Sequence, residues 1–314
     1  AMEPGFPTIN SAVPTVRQSN TYVLERNPYY FKFDTAGNQL PYIDKIHITV
    51  VPNKELMDAK IATGEVDYAG REPTIDRIPL YKQNADKGNY RLLMWKSTNS
   101  VDVVYMFNQT SKDPVWRQIF RDKRFRVAMS LAMNRDEINK ALYFGLAKPM
   151  QASFLPVSIY FEPAFAEAYT KYDPDQANKL LDEMGLKWDD KKEFRLRPDG
   201  KRLAITMEYY PFEAPKTPTS ELVKAHWKKV GFDVTLQERN RDYIMQKVPA
   251  NEVDASLFHL DRGTDILGML NPCYFVPVTN GWENAWSTLW AVWYRTGGKS
   301  GEEPLVVLGE IDAG

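Results

Sequence analysis

Two hydrophobic periods alternate along most of this chain, and that alternation limits what it can fold into. Over residues 43–51 apolar side chains recur at every second position, with Ile46, Ile48 and Val50 on one face, the pattern of a half-buried strand. Asn53 then stands as a cap before a helix over 55–62 that Gly64 ends. Further strands are predicted at 21–25, 66–69, 90–96 and 101–108, the last two as a pair, with a helix over 74–87 interrupted near Pro79. Past residue 110 the helical period takes over. Asp113-Pro114 opens a helix, and 122–134 carries Phe125, Ala128, Met129, Ala132 and Met133 on one stripe; 136–143 follows. Asp173-Pro174 begins another helix with proline at its first position, and 219–230 and 242–248 read the same way. Asp199-Gly200 is a hairpin turn between 194–196 and 203–209, and strands are expected at 233–236 and 255–259. The first twenty residues, with Pro4, Pro7 and Pro14, and the chain from Asp261 onward read as irregular, apart from a helix over 284–294. Strands alternating with helices define an α/β layered chain.

At 314 residues the chain has the length of two domains, at ~100–200 residues each. Forty basic residues face forty-one acidic ones, a net charge of -1. Without a basic surplus no nucleic-acid partner is expected. The longest apolar runs, such as Val101–Phe107, fall far short of the ~20 residues that span a bilayer. Residues 1–20 do not read as a secretory signal peptide, having neither a basic nor an apolar region. Cys273 is the single cysteine, so no intrachain disulfide or cysteine cluster forms, and it reads as a half-buried small apolar residue.

No Gly-rich phosphate loop, zinc-protease helix or nucleophile elbow occurs in the sequence. His47, His226 and His259 fall in three different predicted elements, which is not the clustering of a metal site. Asp189-Asp190 and Glu302-Glu303 are sequence neighbours, whereas acid–base cleavage needs carboxylates on opposite sides of one bond. Neither a catalytic constellation nor a cofactor is expected. Aromatic residues are 13% of the chain, with 8 Trp, and Trp286, Trp290 and Trp293 are spaced to share one helical face. Two readings of that stripe stand: an amphipathic helix packing on a core, or indole faces stacking on a flat ligand such as a sugar ring. The run from Ala255 to Arg262 is an apolar strand ending in polar residues, as where open α/β sheets bind ligands. Asp261 there either accepts hydrogen bonds from a ligand amine or hydroxyl or sits in a turn paired with a neighbour.

Several stretches carry a resemblance. Glu25-Arg26-Asn27-Pro28-Tyr29-Tyr30, then Gln39-Leu40-Pro41-Tyr42-Ile43-Asp44, Ala62-Thr63-Gly64-Glu65-Val66-Asp67, the long run from Phe120 to Ile138, Asp173-Pro174-Asp175-Gln176-Ala177, and Val230-Gly231-Phe232-Asp233-Val234 occur in that order. This order resembles the family 5 solute-binding proteins, the dipeptide, oligopeptide and nickel binders. The resemblance implies an α/β fold like the type II periplasmic binding proteins, with two lobes around a cleft. It implies a non-enzymatic, periplasmic or extracytoplasmic component of an ABC transporter that closes on a solute and delivers it to the membrane permease. Members are longer, so the resemblance also implies a fragment whose first lobe is incomplete: a partial first lobe at 1–108, a second α/β lobe at 109–285, and a return segment at 286–314.

The implied ligand is an oligopeptide or an oligosaccharide. Peptide-binding members place an aspartate after the strand matching 255–259, where it meets the peptide amino group; Asp261 lies close to that place, although Gly263-Thr264-Asp265 departs from the usual run. The tryptophan-rich stretch over 290–298 is similar to relatives associated with oligosaccharides. Tyr105 and Asn108, at the end of the strand leaving the first lobe, are expected at the cleft or hinge, and the loop 151–160, with Phe154, is expected to face the cleft. The expected ligand-binding set is therefore Tyr105, Asn108, Phe154, His259, Asp261, Trp286 and Trp293. The competing reading is a carbohydrate-active hydrolase using the tryptophan cluster as a sugar platform; a scaffold without a ligand is a second.

Overall fold

A computed structural model describes residues 3–304 except 72 and 280. The chain divides into two compact units, one formed by Ala1–Ala69 with Leu80–Leu92 and the other by Gly70–Pro79 with Leu93–Gly314.

In the first unit, β1 (Ala12–Arg17), β2 (Thr21–Arg26) and β3 (Lys45–Thr49) form an antiparallel sheet in that order. β1 lies in the stretch expected to be irregular. Pro14 is compatible with it because β1 is an edge strand, where a missing N–H costs no ladder bond. All five residues of β3 are exposed, so the alternation of Ile46 and Ile48 marks a face that this unit leaves open. α1 (Lys54–Ala62) starts as expected, the Asn53 side chain accepting from the Leu56 amide. Gly64 follows it at φ +78, where a Cβ would stand 2.2 Å from the carbonyl oxygen of Gly88, so only glycine fits. α2 (Ile78–Gly88) carries Pro79 inside its first turn rather than as an interruption. The strands expected at 66–69 and 90–96 are not formed. Leu93, Met94 and Trp95 are exposed, and with no ladder partner their alternation has nothing to pair against.

The second unit begins its regular structure with β4 (Val101–Phe107), then α3 (Pro114–Arg121), α4 (Lys123–Leu131), α5 (Arg135–Leu142), α6 (Pro163–Glu167) and α7 (Pro174–Glu183). β5 (Ala204–Tyr209), α8 (Lys216–Lys228), β6 (Asp233–Glu238), α9 (Arg241–Lys247), β7 (Ala255–Leu260), α10 (Asp265–Leu270) and α11 (Thr288–Arg295) follow. The four strands lie in the order β4-β7-β5-β6, with β5 parallel to both β6 and β7 and β4 antiparallel to β7. β4 was expected to pair with 90–96; it pairs with β7 instead. β7 is buried at every position, as an apolar strand inside a sheet covered on both faces should be.

Side-chain alternation along β4 and β7 feeds two cores. On the α8 face Phe107, Phe120, Phe125, Trp227 and Phe232 pack as one aromatic cluster, with Phe107 and Phe120 stacked at 5.2 Å. On the other face Met106 and Phe258 meet Ile244, Val248 and Val253 of the α9 region. Asp113 caps α3 by accepting from the Val115 and Trp116 amides at 2.8 and 3.2 Å while pairing with buried Arg197 at 2.8 Å. Asp113→Ala is expected to cost about 1–2 kcal/mol, seen as a lower urea midpoint at unchanged slope; an unchanged midpoint would refute this role for the cap.

Asp199-Gly200 forms the expected turn, the Gly200 amide bonding the Arg197 carbonyl at 2.9 Å. Its second arm continues into β5, which leaves the hairpin for parallel pairing. The helix expected over 284–294 is split into a single 3-10 turn at Trp282–Asn284 and α11. Trp286 lies before α11, so the three tryptophans do not share one continuous helix. α10 falls in a stretch expected to be irregular.

Candidate ligand-binding site

Because β5 and β7 run parallel, Tyr209 and Leu260 end at one edge of the sheet, and antiparallel β4 begins there, Val101 pairing with Leu260. Three segments meet at this carboxyl edge: the loop 210–215 leading into α8, residues 261–264, and the start of β4. Ligands of open α/β sheets sit at such edges because the loops there are free of the ladder and carry the polar side chains.

The side chains at this edge form one charged cluster. Lys216, 1% exposed, donates to the carbonyl oxygens of Phe212 and of Glu213 (3.0 Å for the latter) and lies 3.2 Å from Nδ1 of His259. An ammonium only donates, so Nδ1 accepts and the ring hydrogen is on Nε2. Nε2 points between two carboxylates, 3.4 Å from Glu213 Oε2 and 4.0 Å from Asp261 Oδ2. Burial, reinforced by the Lys216 charge, brings His259 down to about 4, so it is neutral at neutral pH. Glu213 is ion-paired with Arg71, whose guanidinium lies 4.8 Å over the Phe212 ring. Burial also raises Asp102 on β4, against the hydrogen bond from Tyr143 and the nearby Lys216 charge.

Asp261 is held far less tightly. Its carboxylate is 38% exposed, with the Tyr274 hydroxyl at 3.4 Å, and Arg262 and His259 both at 4.0 Å. Arg262 is committed elsewhere, at 3.1 Å to Glu283 and 3.6 Å to Cys273 Sγ. A loosely held, half-exposed carboxylate beside a rigid charged network can accept hydrogen bonds from an incoming amine or hydroxyl.

The loop expected to carry Phe154 is tied to the same segment: the Leu155 amide bonds the Gly263 carbonyl at 2.7 Å. Phe154 stacks on Phe275 at 4.9 Å, and its ring lies 2.3 Å from where a Cβ on Gly268 would stand, so glycine there admits the ring. His259, Asp261 and the Phe154 loop are thus brought to one edge.

The other expected site residues are not. Tyr105 faces α8, its hydroxyl 3.1 Å from Ser220 Oγ and its ring 5.0 Å from Trp227, and burial pushes its phenol up. Asn108 is buried at the opposite end of β4, donating to Asn251 Oδ1 and the Val253 carbonyl at 2.8 and 3.0 Å. Trp286 packs on the Met106–Phe258 core and donates to the Cys273 carbonyl at 3.1 Å. Trp293 lies against the turn after α11, 3.5 Å from the Cβ position of Gly298, and Trp290 is buried. The packing reading of the tryptophan stripe therefore describes these contacts. Cys273 is buried more fully than expected, and burial raises its thiol to about 11, so it is inert.

Glu213, Lys216, Arg71 and Tyr274 were not singled out in the sequence. The signal for the first two was present: they follow directly on the carboxyl end of a predicted strand, 203–209, as Asp261 does. A surface depression of about 660 Å³, lined by Asn134, Asp136, Glu137, Lys140 and Ala141, lies elsewhere. It sits near His226, at the end of α8 remote from Lys216.

The depressed His259 makes stability depend on pH. Below the ordinary histidine value of 6.5 the unfolded chain takes up a proton that the folded chain refuses until about 4. Stability is therefore fully present above 6.5 and is lost as pH falls through that window. Denaturant titrations at stepped pH should show this loss, and His259→Gln should flatten it; an equal slope in the variant would contradict the assignment.

A mixed sheet with helices on both faces and a polar cluster at its carboxyl edge defines an α/β protein with a candidate ligand site. The chain belongs to the bacterial extracellular solute-binding proteins, family 5, whose middle-region model matches residues 13–274. A probable ABC transporter-binding protein of Deinococcus radiodurans is 27% identical over 218 residues, 68% of this chain and 36% of its own length. A periplasmic alpha-galactoside-binding protein of Rhizobium meliloti is 28% identical over 204 residues, 62% of this chain and 29% of its own. Among solved structures, an oligopeptide-binding protein OppA is similar with a TM-score of 0.60 and 35% identity, covering 99% of this chain and 51% of that one. MelB of Agrobacterium fabrum C58, in complex with stachyose, is similar with a TM-score of 0.71 at 19% identity, covering 89% and 44%, a likeness of fold alone. The chain spans about a third of the length of these curated relatives and about half of these solved chains.

Proposed function

We propose that this chain forms most of the second lobe, at 109–285, and part of the first lobe, at 1–108, of the substrate-binding component of an ABC importer; the return segment expected at 286–314 lies outside the described residues from 305 onward. The component works outside the cytoplasmic membrane and passes its solute to a membrane permease. The single observation that carries this reading is the exposed, loosely held Asp261 at the carboxyl edge of the sheet, in a chain of family 5. Asp261 meets an amine of an oligopeptide or a hydroxyl of an oligosaccharide, with the Phe154 loop beside it. Relatives of both kinds support the two ligand classes, one an alpha-galactoside-binding protein and one an oligopeptide-binding protein. His259 belongs to the site through its hold on the two carboxylates, whereas Tyr105, Asn108, Trp286 and Trp293 serve as its frame.

Binding is reversible: the ligand bridges the two lobes and shifts the population from open to closed by its differential affinity for the two states. No bond is broken. Family membership stands against the hydrolase reading, and Glu213 and Glu283 are committed to Arg71 and Arg262. A thermal-shift screen of short peptides against galactosides and other oligosaccharides, on protein carrying both lobes, tests the proposal. One class should raise the melting temperature in a saturable way. Hydrolysis of any glycoside in the panel, lost on replacing one carboxylate, would overturn it.

A further inference from the structure

The three-stranded sheet of the first unit blunts one of its edges and leaves the other open. An edge strand offers unpaired N–H and C=O groups to any other chain, and edges are normally protected by a proline, a bulge or a charge. β1 has all three: Pro14 removes a donor, the register shifts between Pro14 and Val16, and Arg17 ends the strand. β3, the opposite edge, has neither proline nor bulge, and the charge of its Lys45 is engaged by Glu25 of β2 at 2.9 Å. Every residue of β3 is exposed, Ile46 and Ile48 included, and no described strand pairs with its outer side. We propose that this outer edge pairs antiparallel with β3 of a second copy of the chain, joining the two sheets across a two-fold axis at His47.

The ladder to β2 fixes which groups are free. The Arg26 amide donates to the Asp44 carbonyl and the Val50 amide to the Asn20 carbonyl, both at 2.8 Å, so the even-numbered residues of this stretch bond to β2. Lys45, His47 and Thr49 therefore turn their N–H and C=O groups outward. Pairing the strand with itself about His47 sets Lys45 opposite Thr49 of the other copy, Ile46 opposite Ile48, and His47 opposite His47. Every outward group then has a partner. Each lysine meets a threonine rather than a like charge, and the isoleucines meet on the face that already carries Tyr22 and Leu24 of β2. A slip by one residue would set outward groups against groups already bonded to β2, and a slip by two would shorten the ladder, so this register is the favoured one. Because the β1 edge is blunted, addition stops at two copies instead of running on into a fibre.

Sedimentation of the chain over a micromolar to millimolar dilution series should show a concentration-dependent doubling of mass. Because His47 faces its own copy, His47→Lys and His47→Glu should each weaken the association by roughly tenfold or more, by setting like charges opposite one another. An equimolar mixture of the two variants should recover it as a mixed pair. Position 47 is exposed in the single chain, so neither variant should alter the circular dichroism spectrum. Hydrogen exchange should slow at the Lys45, His47 and Thr49 amides as the dimer fills, while the Ile46 and Ile48 amides, already bonded to β2, should not respond to concentration. A single-copy mass throughout the series overturns the proposal. So does a dimer indifferent to both His47 variants, which puts the contact on another surface, or a mixture no stronger than its components, which refutes the register. Slow exchange at the three outward amides without a change of mass means that another part of the same chain covers the edge, and overturns it as well.

Discussion

Asp261→Ala should reduce ligand affinity by about 2–5 kcal/mol, the cost of truncating one partner of a desolvated charged contact, while leaving the fold intact. The separation of the two effects follows from how the side chain sits. Its carboxylate is 38% exposed and its contacts are no closer than 3.4 Å, so its loss should change stability by less than about 0.5 kcal/mol. In the closed protein the same carboxylate would be desolvated against the ligand, where a missing acceptor is costly. Asp261→Asn separates the two ligand classes. An amide oxygen still accepts from a sugar hydroxyl, so an oligosaccharide should lose little, whereas a cationic amine should lose most of its affinity. Calorimetric titration of both variants reads the outcome; Asp261→Ala with wild-type affinity would remove this residue from the site.

Trp227→Ala should destabilise the second unit by about 3–5 kcal/mol. The side chain is 1% exposed on α8 and packs 5.0 Å from Tyr105, 5.6 Å from Phe232 and 5.8 Å from Phe107, joining the helix to both β4 and the strand-β6 loop. Its indole N–H donates to the Met129 carbonyl at 2.9 Å and so ties α8 to α4. Alanine removes the volume and the donor together. Trp227→Phe keeps most of the volume and should cost about 1–2 kcal/mol, mainly for the buried carbonyl left without this donor. Urea unfolding followed by far-ultraviolet circular dichroism measures both. A loss below about 1 kcal/mol for the alanine variant would mean that the core closes over the gap.

The sequence was most legible where local chemistry and burial agree. Asn53, Asp113 and Asp173 stand at helix starts where their side chains can reach the first-turn amides, and all three do so. β7 was legible because a run of apolar residues buried on both faces needs no partner to be recognised. β1 was missed because Pro14 reads as a breaker until the strand is known to be an edge. The strand at 90–96 was overread because alternation states what a segment can do, whereas a ladder needs a neighbour, and β4 takes β7 instead. The site followed the same division. Asp261 and His259 were legible from one strand and its end. Lys216 and Glu213 come to them from 43 to 48 residues away in sequence, through parallel pairing of β5 and β7 that no local pattern encodes. The tryptophans near the end misled for a related reason: spacing by four and three suggests one face, but Ser287 starts α11 after Trp286.

The central claim is that the chain belongs to a protein that holds a solute at the Asp261 edge and releases it unchanged. Isothermal titration of protein carrying both lobes, with the ligand recovered afterwards and weighed by mass spectrometry, tests it most directly. The account predicts saturable one-to-one binding, lost in Asp261→Ala, with the ligand recovered intact. Recovery of a cleaved or chemically altered ligand, or binding that is indifferent to Asp261, would contradict it.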